Sequence, residues 1–287
     1  MSTSGPPPPG TFEEPPAELT PHTARGFSTT SPDYDRSVAA NLRGARRLVA
    51  SLPDDEYRRV LDVGCGTGLA TMEVLARFPT VSEVVGVDPS DGMLAELRET
   101  LASKSGLEIE LQNVPAEEMR LEPETFDLAI STMVFHWLPD RRAVATAMAK
   151  ALKPGGVFAA LAPSAGADRE FFQIVSELDP PAPVEWLDAE RLYIVDPAEF
   201  EQVIEDSGLE IEDMWVEERV RRVSPEEFLA RMRAVATHVF LRTPGYDQEM
   251  LEDAWERTAA GIASRAAEAG AFSYHFNKVF VIARRAA

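Results

Sequence analysis

The stretch Val60-Leu61-Asp62-Val63-Gly64-Cys65-Gly66-Thr67-Gly68 decides how the rest of the chain folds. Its first four residues are mostly apolar and β-branched, which predicts a buried strand. The glycines that follow predict a tight turn, because glycine adopts positive φ angles and lets a ligand approach the backbone closely. Residues 69–78 have the spacing of an amphipathic helix. This order of strand, turn and helix predicts the start of a nucleotide-binding α/β unit.

The spacing of the glycines weakens the case for a dinucleotide site. The fingerprint G-x-G-x-x-G would place its third glycine at position 69, where the chain has Leu69. The chain has G-x-G-x-G instead, with Asp62 two residues before the first glycine. A second acid, Asp88, closes the next apolar run. An ionised carboxylate at this position offers two oxygens to a pair of ribose hydroxyls.

With these features the chain resembles the class I S-adenosylmethionine (SAM)-dependent methyltransferases. Residues 60–68 are similar to their first motif, and the likeness continues in order through residues 85–93, 126–139 and 152–161. The resemblance implies SAM as cofactor and an α/β fold with a Rossmann-like, doubly wound sheet of seven strands. It also implies that the sheet is mostly parallel, that its last strand is antiparallel, and that a helical cap covers the substrate.

Composition narrows the classes of function. The chain has 287 residues, with 28 basic and 48 acidic side chains and a net charge of −20. This surplus opposes binding to a phosphate backbone, so we predict no nucleic-acid partner. The single cysteine, Cys65, excludes an intrachain disulfide framework and fits a reducing compartment. No apolar run approaches the roughly 20 residues of a membrane helix, and no signal segment opens the chain, so we predict a cytoplasmic protein without a membrane partner.

The apolar pattern also predicts how the chain is organised. We predict a disordered proline-rich tail over residues 1–20 and a core over residues 21–165, which the resemblance identifies as SAM-binding with an N-terminal lid helix. For residues 166–287 the resemblance implies that they complete the sheet and that residues 225–267 form the substrate cap. The predicted strands are 60–63, 81–87, 107–112, 126–130, 157–161, 209–220 and 272–283, with a turn at 153–156. Strands that alternate with helices indicate a parallel sheet, whose ligands bind at the carboxyl ends of the strands.

The resemblance implies which residues hold the cofactor. Asp62 would lie near the ammonium of the methionine part, with a loop cap as its alternative role. Asp88 would bind the ribose, and Met93 would flank the adenine or simply pack within its helix. The full predicted cofactor set is Tyr34, Asp62, Gly64, Cys65, Gly66, Gly68, Asp88, Pro89, Met93, Ala116, Glu117 and Ser131.

At the adenine edge the chain departs from the family pattern. Many relatives carry Asp-Ala-Glu after the third strand, where the aspartate accepts from the adenine amino group. Here Pro115 stands at the position of that acid and has no side-chain acceptor. The backbone of Ala116 and the nearby Glu117 are the predicted substitutes.

Residues 131–140 resemble the loop of trans-aconitate and juvenile hormone acid methyltransferases, where Gln or His followed by Trp lies beside the substrate carboxylate. His136 and Trp137 occupy those positions, and both rings carry an N–H donor. We predict His136, Trp137 and His238 as catalytic residues, and the same three with Arg242 as substrate-binding residues. The alternative for His136 is a packed core histidine. We predict no metal site.

An anionic substrate also needs cations, and arginines are frequent in the predicted cap. The alternative is that they pair with neighbouring glutamates on a solvated face. The arginines are Arg219, Arg221, Arg222, Arg231, Arg233 and Arg242, and the glutamates are Glu217, Glu218, Glu226 and Glu227.

The function predicted from the sequence is SAM-dependent methylation of a small molecule, at a carboxylate oxygen of a trans-aconitate-like acid. Three alternatives stay open. The first is N-, C- or hydroxyl O-methylation of a secondary metabolite, since the cap decides the substrate. The second is a SAM-binding regulator without catalysis, and the third is an NAD-dependent oxidoreductase. The oligomeric state stays open.

Overall fold

A computed structural model describes residues 41–182, 194–236 and 247–286 of the chain. Its centre is a seven-stranded sheet in the order β3-β2-β1-β4-β5-β9-β6. Strands β1 to β5 are parallel, and β9 pairs antiparallel with both β5 and β6. The strands are β1 Arg59–Val63, β2 Glu83–Val87, β3 Glu108–Gln112, β4 Phe126–Thr132, β5 Leu152–Pro163, β6 Leu209–Glu217 and β9 Lys278–Arg285. The predicted Rossmann-like, doubly wound sheet with an antiparallel last strand is confirmed.

Helices cover both faces of this sheet. Successive strand residues point to opposite faces, so Val60 packs under α1 and α2 while Leu61 packs under α4 and α6. The described helices, numbered in chain order, are α1 (residues 41–51), α2 Leu69–Arg77, α3 Asp91–Leu101, α4 Arg141–Ala151, α5 Arg169–Ser176, α6 Pro197–Asp206, α7 Pro225–Ala236 and α8 Gln248–Ala269. Short 3-10 turns lie at Ala116–Glu118 and Phe135–Trp137.

The C-terminal third carries a second, smaller core. Strands β7 (Val220–Val223) and β8 (Phe272–His275) form a two-stranded antiparallel sheet. The helices α5, α7 and α8 pack with this sheet around Phe171, Phe228 and Trp255. The division of the chain into tail, core and cap remains a prediction, and the predicted tail at 1–20 lies outside the described residues.

Two strand predictions were wrong in one respect. The predicted strand 272–283 is two strands, β8 and β9, separated by Phe276 and Asn277. The predicted strand 209–220 likewise ends at Glu217, and the chain resumes as β7 at Val220. In both places the chain leaves one sheet for the other, and the Phe276 N–H donates to the Arg219 carbonyl at 2.7 Å across the two breaks. Glu218 and Arg219 stand at one break and Asn277 at the other, but charged residues also occur within β6 and β9, so the sequence pattern alone did not show where these strands end.

The residues of the predicted turn, 153–156, lie within β5, which runs from Leu152 to Pro163. The register with β4 jumps there from Leu152 opposite Phe126 to Val157 opposite Leu128, so the strand is irregular at these four residues. Gly155 has a positive φ of 77° at this irregularity.

The antiparallel direction of β9 matters for the site. Because β9 runs against its neighbours, its first residue, Lys278, lies beside the last residues of β5 and β6, Pro163 and Glu217. Lys278 therefore lies at the carboxyl edge of the parallel strands, where ligands of such sheets bind.

Candidate functional site

The glycine turn after β1 closes against the end of β2. The N–H groups of Gly64 and Cys65 both donate to the Val87 carbonyl, at 2.7 and 3.1 Å. All three glycines of the turn have positive φ, at 69°, 53° and 90° for Gly64, Gly66 and Gly68. This backbone is accessible to glycine at little steric cost.

The three glycines have different surroundings. A Cβ at Gly64 would lie 2.1 Å from Cγ2 of Val134, and one at Gly68 would lie 2.3 Å from Cδ1 of Leu97. In the part of the chain that the structure describes, a Cβ at Gly66 would meet nothing within 4 Å. Gly64 and Gly68 therefore allow close packing of protein on protein. Gly66 leaves a space that a ligand can enter.

The side chain of Cys65 points away from this space. It packs with Leu94, Leu97 and Leu101 of α3, and burial raises the pKa of its thiol well above the usual value. Only the backbone of Cys65 is then available to a cofactor, and the thiol is a packed apolar group.

The carboxylate of Asp88 is hydrogen-bonded to the glycine turn. Its Oδ2 accepts from the Gly66 N–H at 3.0 Å, and its Oδ1 accepts from the Ser90 N–H at 2.9 Å. An ionised carboxylate has about four acceptor positions, so two remain for ligand hydroxyls. The side chain is half-buried, and desolvation raises the pKa of Asp88 to about 6.

Asp62 is fully buried beneath the turn. Its Oδ2 accepts from the Thr71 hydroxyl at 2.6 Å, but its Oδ1 finds no hydrogen-bond donor among the described residues. Burial, with a smaller contribution from the charge of Asp88, raises the pKa of Asp62 to about 6. A buried acceptor without a donor is costly, so this oxygen favours a ligand that brings an N–H group.

The space at the glycine turn is lined by residues from three parts of the chain. Asn41 and Ala45 come from α1, and Thr132 and Met133 from the end of β4. The backbone at Met133 has a φ of 60°, a conformation that non-glycine residues adopt at a cost and that clusters at functional sites. Sequence reasoning missed these four residues, although the position of Thr132 and Met133 at a strand end was a usable signal.

The other predicted cofactor residues are dispersed. Ser131 is fully buried, and its hydroxyl donates to the Val63 carbonyl at 2.9 Å, so its side chain is committed to strand packing. Met93 is buried in α3, whose N-cap Ser90 accepts from the Met93 N–H at 3.4 Å. Ala116 and Glu117 lie in the 3-10 turn after β3, the first buried and the second exposed. Pro89 is half-buried, and Tyr34 lies outside the described residues.

His136 and Trp137 lie together in the 3-10 turn after β4. Their ring centroids are 4.8 Å apart; His136 is buried, and Trp137 is half-buried. Nδ1 of His136 has no hydrogen-bond partner within the described parts of the chain. Burial, reinforced by the positive charges of Arg141 and Lys278, lowers the pKa of His136 to about 3. The imidazole is therefore neutral near pH 7 and a weak base.

Most of the predicted cap arginines pair within the protein. Arg219 binds Glu217 at 2.8 Å, and Arg231 binds Asp168. Arg221 donates to the Tyr274 hydroxyl at 3.0 Å and lies 3.5 Å from Glu227, while Arg222 donates to the Ala269 carbonyl at 3.1 Å. The alternative of pairing with a neighbouring glutamate therefore holds for Arg219 and Arg221, whereas Arg231 and Arg222 bind other groups. His238 and Arg242 lie outside the described residues.

Sequence reasoning missed Lys278, a basic residue near the site. Lys278 is only 5% exposed, and it opens a strand in which five apolar residues follow it. Burial and the positive charges of Arg43, Arg219 and Arg221 lower the pKa of Lys278 to about 7, against a smaller opposing effect of Glu217. One lysine at the start of an apolar run was the available signal.

The described residues also bear on membrane crossing and metal binding. Across 41–182, 194–236 and 247–286, none of the helices combines the length and apolar character of a membrane crossing. Within those ranges, no group of three or more His, Cys, Asp or Glu side chains is placed to hold a metal ion.

The buried state of Asp62 leads to a testable pH dependence. Its pKa in the folded protein, about 6, lies above the ordinary aspartate value of 3.8, so its contribution to stability is present at low pH and is lost as pH rises through about 6. We expect ligand-free wild type to lose up to about 3 kcal/mol of unfolding free energy, relative to Asp62→Asn, between about pH 4 and about pH 7. Urea unfolding of both proteins across this range measures the difference. A difference that does not change with pH would show that Asp62 is not buried in this way.

Known proteins resemble this chain in sequence. A family model described as a methyltransferase domain matches residues 60–156. The trans-aconitate 2-methyltransferase of Deinococcus radiodurans is 35% identical over 139 residues, which are 47% of this chain and 50% of that protein. The chain spans about half the length of the curated relatives it matches.

Solved structures resemble it in fold. The YcgJ protein of Bacillus subtilis has a TM-score of 0.58 at 17% identity, covering 85% of this chain and 99% of that one. The phosphoethanolamine N-methyltransferase 2 of Haemonchus contortus, in complex with phosphomonomethylethanolamine and S-adenosylhomocysteine, has a TM-score of 0.57 at 19% identity, covering 94% of this chain and 61% of that one. The chain is thus similar in sequence to trans-aconitate methyltransferases and has the fold of class I SAM-dependent methyltransferases.

Proposed function

We propose that this chain, similar as it is to those methyltransferases, transfers the methyl group of SAM to a carboxylate oxygen of a small acid of the trans-aconitate type. The observation that carries the proposal is the pair of acids at the glycine turn, with Asp62 buried beneath it and Asp88 hydrogen-bonded to Gly66. Among the described residues Asp62 has one oxygen without a donor, and Asp88 has acceptor positions left after it has bound the turn. A ligand with an ammonium at one end and a vicinal diol nearby satisfies both.

The residues present fit SAM. Asp62 would accept from the ammonium of the methionine part, and its buried oxygen would gain the donor it lacks. The backbone at Gly66 would approach the ligand closely, because no described residue occupies the space where a Cβ would lie. Asp88 would accept from the ribose hydroxyls. When bound, SAM supplies a methyl group on a positively charged sulfur.

The state of His136 favours a carboxylate acceptor over a hydroxyl. A hydroxyl must lose its proton to attack, and an imidazole whose pKa is about 3 removes protons poorly near pH 7. An ionised carboxylate is already nucleophilic and needs to be held and aligned. The N–H groups of His136 and Trp137 can donate to it, and alignment of this kind is worth roughly 7 to 11 kcal/mol of barrier.

The experiment that tests the proposal is product analysis. Purified full-length protein is incubated with methyl-labelled SAM and a mixed library of small carboxylic acids, phenols and amines, and the products are identified by mass spectrometry. We expect labelled methyl esters. Labelled phenol ethers or amines would favour the first alternative, and tight SAM binding without any transfer would favour a regulator. A nicotinamide cofactor that raises the melting temperature, where SAM does not, would favour an oxidoreductase.

A substitution of His136 tests its role. We expect His136→Phe to lower kcat by about 100-fold, because phenylalanine keeps a ring but has no N–H donor. Removal of one oriented donor from an active site has an effect of this size. SAM affinity, measured by calorimetry, should change little. Trp137→Phe is the matched variant that removes the neighbouring donor. A wild-type rate for His136→Phe would assign His136 to core packing.

A further inference from the structure

Thr71 contacts Asp62 from the helix that follows the glycine turn. It is the third residue of α2, and its side chain is buried. Its hydroxyl donates to Oδ2 of Asp62 at 2.6 Å, and this hydrogen bond joins the first turn of α2 to β1. Both residues are buried, so the bond lies in a region of low dielectric, where it is electrostatically stronger than it would be in water.

The same contact contributes to the capping of α2. Gly68 is the N-cap residue of this helix and has no side chain that could accept from the first N–H groups. The backbone N–H of Thr71 acts on the carboxylate of Asp62 together with the hydroxyl. One role of Asp62 and Thr71 is therefore structural, and any role in ligand binding has to be measured separately from it.

The hydrogen bond also fixes the orientation of the Asp62 carboxylate. The terminal torsion of an aspartate side chain is broad, so packing around Cβ leaves the plane of the carboxylate poorly defined. A donor on Oδ2 defines that plane. Within the described residues Oδ1 is then the oxygen without a donor, and it is the oxygen that the ammonium of the proposed cofactor would reach.

A neutral donor is appropriate for a carboxylate that binds a cation. Burial raises the pKa of Asp62, the hydroxyl of Thr71 opposes that rise, and the negative charge of Asp88 adds to it. A hydroxyl stabilises the ionised form by hydrogen bonding, but it carries no positive charge that would neutralise it. The negative charge of Asp62 therefore remains for a positively charged ligand group.

We propose that Thr71 is a positioning residue of the cofactor site, which directs Oδ1 of Asp62 towards the ammonium of the cofactor and so gives the site its preference for ligands that carry this group. The inference rests on the proposed function, because it takes Asp62 as the acceptor of the ammonium. Thr71 acts through Asp62. Its loss therefore affects the affinity for the amino group and leaves the affinity for the adenosine part unchanged.

Two ligands that differ only in the amino group test the proposal. S-adenosylhomocysteine carries the ammonium, and its deamino analogue has a hydrogen in that position. Calorimetric titration of each ligand into the full-length protein gives two dissociation constants. For wild type we expect the deamino analogue to bind roughly tenfold or more weakly, which is the value of one hydrogen bond to a charged group.

Thr71→Val is the decisive variant, because valine keeps the branched shape of threonine without the hydroxyl. We expect the dissociation constant of S-adenosylhomocysteine to rise roughly tenfold, while that of the deamino analogue stays unchanged. A structural role alone would weaken both ligands equally, because capping of α2 supports the whole turn. Equal losses for the two ligands, or no loss for either, would overturn the proposal.

Three further variants complete the test. Thr71→Ser keeps the hydroxyl and should retain the preference for S-adenosylhomocysteine. Thr258→Val removes a buried hydroxyl in α8 that donates to the Ala254 carbonyl, and both dissociation constants should stay unchanged. Thr71→Cys keeps a weaker donor, so it should fold even if Thr71→Val does not. It should lose about threefold in affinity for S-adenosylhomocysteine alone, and an unchanged preference would count against the proposal.

These measurements separate the inference from the proposed function, since none of them requires methyl transfer. A selective loss in Thr71→Val supports the inference even if no acid is methylated, an outcome that would reject only the transfer to a carboxylate. Equal affinity of wild type for the two ligands would overturn the inference and leave the transfer to be judged by its products. No binding of S-adenosylhomocysteine would reject the cofactor and the inference together.

Discussion

Replacement of Asp88 by alanine is expected to weaken SAM binding by about 100-fold or more. The carboxylate would accept two hydroxyls of the ribose, and each hydrogen bond to a charged group contributes roughly 1.5 to 3 kcal/mol. The same oxygens hold the N–H groups of Gly66 and Ser90, so the substitution also releases the turn that faces the ligand. Calorimetric titration of SAM into wild type and variant measures the loss.

The control for this prediction is Asp91→Ala. Asp91 is exposed at the start of helix α3, close to Asp88 in sequence but outside the glycine turn. Its removal should leave SAM affinity unchanged. Asp88→Asn retains one carbonyl oxygen as an acceptor, and we expect an intermediate loss. Circular dichroism should show an unchanged fold for all three variants. Wild-type affinity in Asp88→Ala would remove Asp88 from the cofactor site.

The second large effect is a loss of stability expected for a substitution at Gly64 but not for the same substitution at Gly66. We expect Gly64→Ala to lower the free energy of unfolding by about 3 kcal/mol or more. The methyl group would lie 2.1 Å from Val134 Cγ2, and the residue would keep a φ of 69°. The positive φ costs roughly 1 to 2 kcal/mol and overpacking typically 1 to 3 kcal/mol. Urea unfolding of the ligand-free protein measures the change.

Gly66→Ala is the matched variant with the opposite outcome. Its methyl group meets none of the described residues within 4 Å, so only the cost of its φ of 53° is expected in the free energy of unfolding. SAM affinity should fall instead, because the methyl group enters the space proposed for the ligand. Gly64→Ala with wild-type stability, or Gly66→Ala with wild-type affinity, would contradict this assignment of roles.

Motif order and strand ends predicted the sheet correctly. The run from Val60 to Gly68 combines apolar strand, glycine turn and helix in one short segment, and each local preference agrees with the global fold. Asp88 was located in the same way, because an acid at the end of a parallel strand must lie at the carboxyl edge. The structure places it against the turn at Gly66, as that argument requires.

Other parts of the site depend on contacts that no local pattern contains. The space at Gly66 and the packing at Gly64 look alike in sequence, and only the position of Val134 distinguishes them. Ser131 ends up donating to a carbonyl of the neighbouring strand, which depends on register. Lys278 acquires its neighbours Arg43 and Arg219 only because β9 inserts beside β6 while α1 packs across the sheet.

The place of β9 in the sheet also has a consequence for synthesis. Of the described strands it is the last to leave the ribosome, yet it lies between two that are made earlier. Until residues 278–285 emerge, β5 and β6 each present an open edge, which is a template for pairing with another chain. The edges of β5 and β6 that face β9 therefore stay unpaired until this strand is made. Pairing of β9 both fills this gap and places Lys278 at the carboxyl edge of the sheet.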